Sequence, residues 1–140
     1  MTVKLEHANL AVQDIDGIIR FLQTAFPEFR IRRDVTEADG LRWVHLGTEE
    51  TYIALNQAKG PLGATRKGSP LNHLAYEVAD VEILRTRLRK AGYEENALVP
   101  NAHPYRRRLY FYDPEGNDWE FVQYLSQDPA ERNDYKLPDR

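Results

Sequence analysis

The chain contains no cysteine, which excludes disulfides, thiolate metal sites and cysteine nucleophiles. No apolar run approaches the length a bilayer demands, so no membrane partner is expected. The opening residues, MTVKLEHANL, carry charges at Lys4 and Glu6 and have no apolar h-region, so no signal peptide is expected. The net charge of -3 lacks the basic excess of a nucleic-acid binder. Low-complexity tracts and long charge runs are also missing. What remains is 140 residues of mixed composition, one domain's worth of chain, expected to be soluble and cytoplasmic.

That chain says nearly the same thing twice. Leu5-Glu6-His7 opens one segment and Leu71-Asn72-His73 another, 66 residues later. The offset also pairs Val12 with Val78, Asp14 with Asp80, Leu22 with Leu88 and Ala25 with Ala91. It continues through Glu28/Glu94, Arg42/Arg108, Glu49/Glu115 and Gln57/Gln123, ten identities over 53 aligned positions. A fixed internal offset marks two copies of one structural unit.

Each copy reads as βαβββ. Residues 5–12 alternate, with Ala8, Leu10 and Val12 on one face and His7 and Asn9 on the other. Asp14 is a helix N-cap, followed by Ile15, Ile18, Ile19 and Leu22 at helical spacing as far as Phe26-Pro27. Strands are predicted over 29–35, 41–46 and 51–56, and in the second copy over 71–78, 93–99, 107–112 and 118–124. There Asp80 caps a helix over 81–91 that ends at Gly92, and Asp113-Pro114-Glu115-Gly116-Asn117 makes a turn. The expected organisation is a first module over 1–56, a Gly/Pro-rich linker over 57–70, a second module over 71–125 and a polar tail over 126–140. The tail is expected to be loose or laid over a partner.

Strand parity singles out a constellation. His7 is out of phase with Leu10 and Val12, and His73 with Leu74, Tyr76 and Val78, so both histidines leave the helix-covered face. Trp119 and Phe121 take the apolar face of the last strand, which sends Glu120 to the side of the histidines. A βαβββ unit can set its first strand beside its last, bringing His73 to Glu120, with His7 supplied by the other copy. Two imidazoles and one carboxylate make a facial triad that binds a divalent metal and leaves positions open. The repeat places Ala54 opposite Glu120, so no fourth ligand is expected and the site is open, as a catalytic site is. The competing reading is that His7 and His73 are inherited fold residues of a metal-free binding cup. Tyr110 is the acid or hydrogen-bond donor candidate. His45, Trp43, Asn9 and Arg108 are the substrate-binding candidates, Arg108 for a carboxylate or phosphate. His103 is a candidate lid residue.

The segments LEHANLAVQD and LNHLAYEVAD, with the closing YFYDPEGNDWEFVQ, resemble the vicinal oxygen chelate superfamily. That group includes glyoxalase I, extradiol dioxygenases, fosfomycin-resistance transferases, methylmalonyl-CoA epimerase and bleomycin-binding proteins, and the resemblance covers residues 3–124. It implies an α+β fold in which two tandem βαβββ modules form an open eight-stranded cup around one divalent ion, Fe, Mn, Ni, Zn or Co. His7, His73 and Glu120 fall on its ligand positions. Ala54 departs from the fourth ligand of glyoxalase I. The potassium loop and lysine of the fosfomycin transferases have no match in ALVPNAHPYRR. Extradiol dioxygenases share a tyrosine ten positions before the glutamate, but most are about twice this length. The resemblance implies a small-molecule metalloenzyme, dioxygenase-like or lyase/isomerase, and a homodimer. The alternative is a non-catalytic, antibiotic-binding protein of the bleomycin-resistance kind.

Overall fold

Each copy starts its helix on an aspartate whose carboxylate accepts a backbone N–H, Gly17 N at 2.9 Å for Asp14 and Ile83 N at 3.1 Å for Asp80. The computed structural model describes residues 3–62, 71–97 and 102–136. The chain divides into two compact units, residues 1–64 and 65–140.

In the first unit, β1 (His7–Val12), α1 (Ile15–Ala25), β2 (Arg30–Thr36), β3 (Arg42–Gly47) and β4 (Tyr52–Gln57) follow the predicted order. They form a four-stranded sheet ordered β1-β4-β3-β2, with β1 and β4 parallel and the rest antiparallel. The helix packs on β3 and β4. It buries Ile15, Ile18, Phe21 and Leu22, and the sheet contributes Val12, Val44, Leu46 and Leu55. β4 runs on through Gln57, and residues 63–70 of the expected linker lie outside the described residues.

The second unit contains β5 (His73–Glu77), α2 (Val81–Lys90), β6 (Arg106–Tyr112), β7 (Asp118–Tyr124) and the short α3 (Pro129–Arg132). Its sheet is ordered β5-β7-β6, with α2 on β6 and β7 over Leu109, Phe111, Trp119 and Phe121. As predicted, Gly92 ends α2 with φ 88°, a conformation open to glycine without strain. The strand predicted over 93–99 is, among the described residues, a single bridge from Glu95 to Phe111. Two backbone hydrogen bonds tie the segment to β6, Asn96 N–H to Tyr110 O at 3.0 Å and Tyr112 N–H to Glu94 O at 2.9 Å, while Glu95 pairs with Arg85 and Arg89 and Asn96 donates to Asp118. The described strands thus number seven, where eight were expected.

The described part of the tail, residues 126–136, packs on the second unit. Arg132 donates to Glu77 at 3.0 Å and lies 4.0 Å over the Tyr124 ring, while His103 Nε2 donates to the Asp134 carbonyl at 3.1 Å. His103, the expected lid residue, is buried, and its Nδ1 accepts from Tyr105 N–H. It is an anchor for the tail.

The turn from β3 to β4 is tight. A Cβ on Gly47 would lie 2.2 Å from Thr51 O and 2.5 Å from Tyr52 Cα, both backbone atoms that cannot swing aside. Gly47→Ala is therefore expected to destabilise the first unit by about 1–3 kcal/mol, the usual range for overpacking. Urea unfolding checks this, and an unchanged midpoint would refute it.

Candidate metal centre and its comparison with known proteins

The second unit brings three of the expected residues together. β5 lies parallel to β7 with Ala75 beside Glu120, and β6 lies antiparallel to β7 with Tyr110 directly opposite Glu120. His73 is diagonal to Glu120, and its Nε2 is 3.0 Å from Glu120 Oε2. The Tyr110 ring meets the His73 ring edge-on at 6.0 Å, and the phenol is hydrogen-bonded to Glu120. Burial first, then that bond and the Glu120 charge, push the Tyr110 hydroxyl up to about 12. Arg108 shares the face of Tyr110, and its charge partly offsets the shift. Glu120 itself is 9% exposed although it faces away from the helix-covered core.

In the first unit, His7 sits at the start of β1, with Nδ1 held by the Glu6 carboxylate. Its ring stacks on Tyr52 at 4.7 Å and 9°. Tyr52 continues into His45 at 4.5 Å, and His45 into Trp43 at 5.0 Å, so four rings cross β1, β4 and β3 on the face away from α1. The Arg32 guanidinium lies 4.4 Å from the Tyr52 ring centre. Desolvation, and then the charges of His7 and Arg32, hold His45 below its ordinary value, which favours a neutral imidazole. Asn9 accepts from Asn56 at 2.7 Å on the same face, and Trp43 Nε1 donates to Glu37.

The repeat register locates Ala54 as expected: Asn9 pairs with Ala54 as Ala75 pairs with Glu120, an offset of 66. One strand breaks the pattern. His45 pairs with Ala54 while Tyr110 pairs with Glu120, so β3 and β6 correspond at an offset of 65. The turn over 48–51 is one residue shorter than the turn over 113–117, which shifts the strand by one. His45 thus stands in the first unit where Tyr110 stands in the second. The aligned pair Arg42/Arg108 is not a structural pair. Arg42 is spent on Asp34 at 2.7 Å and Asp16 at 2.8 Å.

Among the described residues, neither unit by itself gathers three His, Asp or Glu side chains able to hold a metal. The second unit supplies an imidazole and a carboxylate whose donor atoms converge, a borderline N/O pair suited to divalent transition ions. Sequence reasoning passed over Glu6, Tyr52, Arg32 and Asn72. The signal for Glu6 and Asn72 was present: each histidine is preceded by a residue with an acceptor oxygen.

A profile of the Glyoxalase/Bleomycin resistance protein/Dioxygenase superfamily matches residues 4–121. The chain belongs to that superfamily. Among solved structures, the genomically encoded fosfomycin resistance protein FosX from Listeria monocytogenes is 20% identical with a TM-score of 0.72, over 94% of this chain and 99% of its own. A glyoxylase/bleomycin resistance protein/dioxygenase domain from Frankia sp. EAN1pec is 20% identical with a TM-score of 0.74, over 94% and 98%. FosX from Mesorhizobium loti is also 20% identical, with a TM-score of 0.68 over 94% and 98%. The Listeria protein has been crystallised with Mn(II) and sulfate. No curated protein matches this chain. At such identities the likeness establishes the superfamily's α+β fold. Among the described residues no helix is long and apolar enough to cross a membrane.

Two tyrosines of this superfamily member make a pH prediction. Tyr76 is pushed up to about 12 by burial, as Tyr110 is. An unfolded tyrosine ionises near 10. The folded state therefore holds more protons than the unfolded state between these values, and stability falls as pH rises from about 10 to about 12. Phenolate absorbance with parallel denaturant curves checks this. Stability that stays flat across that range would refute it.

Proposed function

We propose that the protein is a metal-dependent enzyme acting on a small oxygen-bearing molecule, with His7, His73 and Glu120 holding one divalent ion. The observation that carries the reading is the convergence of His73 Nε2 and Glu120 Oε2 at 3.0 Å beneath Tyr110. When bound, the ion would act as a Lewis acid toward substrate oxygens. Fe, Mn, Ni, Zn and Co all suit such donors, and Mn(II) is the first to test, given its presence in FosX from Listeria.

The chain's own residues set the rest. Tyr110, directly opposite Glu120 on the neighbouring strand, is the candidate acid or hydrogen-bond donor to a substrate oxygen. His45, a substrate-binding candidate, is held neutral on the face of the first unit that carries His7. Trp43 and Asn9 extend the face that carries His7, and Arg108 extends the face that carries Tyr110. The chemistry such a site would support is dioxygenase-like or of the lyase/isomerase kind. We place the working protein in the cytoplasm as a homodimer, with no nucleic-acid or membrane partner.

The test is a thermal-shift titration with Mn2+, Fe2+, Ni2+, Zn2+ and Co2+. A ligand that binds only the folded state raises stability by about 2.7 kcal/mol at a hundredfold excess over its Kd, a shift easily seen. If no ion produces one, the metalloenzyme reading fails and the non-catalytic binding protein takes its place.

A further inference from the structure

Both candidate ligand histidines are held at Nδ1 by the residue immediately before them. Glu6 holds His7 through its carboxylate, and Asn72 Oδ1 lies 2.7 Å from His73 Nδ1. Neither a carboxylate nor an amide oxygen can donate, so each bond puts a proton on Nδ1, and Nε2 is the nitrogen whose lone pair is available to a metal once it carries no proton. In the second unit that Nε2 is the nitrogen facing Glu120.

Strand geometry does not supply these contacts. Successive side chains of a strand point to opposite faces, so a residue does not ordinarily reach its neighbour's ring. Here each histidine is the first residue of its strand, and Glu6 and Asn72 lie just outside β1 and β5, where the pleat does not hold them. The arrangement occurs twice, at the repeat offset, with different residue types. Glu6 also accepts a hydrogen bond from Tyr52, the ring on which His7 stacks, so the orientation of His7 is fixed from its edge and from its face.

We infer that Glu6 and Asn72 are positioning residues that select the Nδ1–H tautomer of His7 and His73 and aim each Nε2 at the metal. The inference rests on the reading of those histidines as ligands. Outer partners of this kind typically contribute 10–100-fold to metal affinity.

The experiment titrates the wild type and its variants with Co2+ alone, following the visible absorption of the bound ion. Glu6→Ala and Asn72→Ala are expected to weaken Co2+ binding about 10–100-fold and to alter its spectrum. Glu6→Gln and Asn72→Asp keep an acceptor oxygen and are expected to bind far closer to wild type than the alanine variants. Both positions are exposed, so circular dichroism should show an intact fold in each variant. Alanine variants that bind Co2+ like wild type, while His7→Ala and His73→Ala lose it, would overturn the positioning role and leave the ligand set standing. Glu6→Gln as weak as Glu6→Ala would also overturn it, because charge would then be the cause. If the histidine variants bind like wild type, the ligand reading itself fails and takes this one with it.

Discussion

Glu120→Gln is expected to weaken divalent-metal binding by more than the roughly 100-fold upper range of an outer partner, because it removes a candidate ligand's charge and not merely its support. The substitution is nearly isosteric, which matters at a position only 9% exposed. It also gives a second readout that needs no metal. Burial is the largest cause of the raised Tyr110 hydroxyl, but the Glu120 bond and charge add to it. In the variant, Tyr110 should titrate below its present value of about 12 yet remain above an ordinary tyrosine near 10. Isothermal titration with Mn2+ and phenolate absorbance measure the two effects. Unchanged metal affinity with a lowered tyrosine would keep the pairing of Tyr110 and Glu120 and discard the carboxylate as a ligand.

Trp119→Ala is expected to cost about 3–5 kcal/mol, the range for removing a large aromatic from a core. Trp119 is 1% exposed, and its indole N–H donates to Asp113 Oδ2 at 3.0 Å. Asp113 is itself buried and accepts from the backbone of Glu115 and Asn117, which closes the turn before β7. Burial holds this carboxyl above its ordinary range, and the bonds from Trp119 and Asn117 work in the opposite direction. Losing the indole opens a cavity and strips the turn of one donor, next to the strand that positions Glu120. Since whole domains are stable by only about 5–15 kcal/mol, a large fall in the urea midpoint should follow. A shift under about 1 kcal/mol would mean that the core around Trp119 collapses without loss.

The alternation of Leu10 and Val12 against His7, and of Trp119 and Phe121 against Glu120, was legible because a strand has a period of two and each sheet buries one face under a helix. The caps at Asp14 and Asp80 were legible for the same local reason. The meeting of His73 with Glu120 was inferable once the first strand was set beside the last. Other features depend on long-range partners that no pattern advertises. The segment at 93–99 reads as a strand, and among the described residues it meets β6 only around Glu95, whose carboxylate goes to Arg85 and Arg89 on α2. The tail reads as loose or laid over a partner because its composition is polar, while the anchors of its described part, Glu77 and His103, are remote in sequence.

The shortened turn after Gly47 has a consequence for anyone who transfers roles between the two halves. By alignment His45 corresponds to Phe111, a fully buried core aromatic. By position it corresponds to Tyr110. Because a one-residue shift exchanges the two faces of a strand, ancestry and location disagree along the whole of β3. A comparison of halves by descent would file His45 with the core. A single residue of loop length is all that separates an inherited packing position from a place on the face that carries His7.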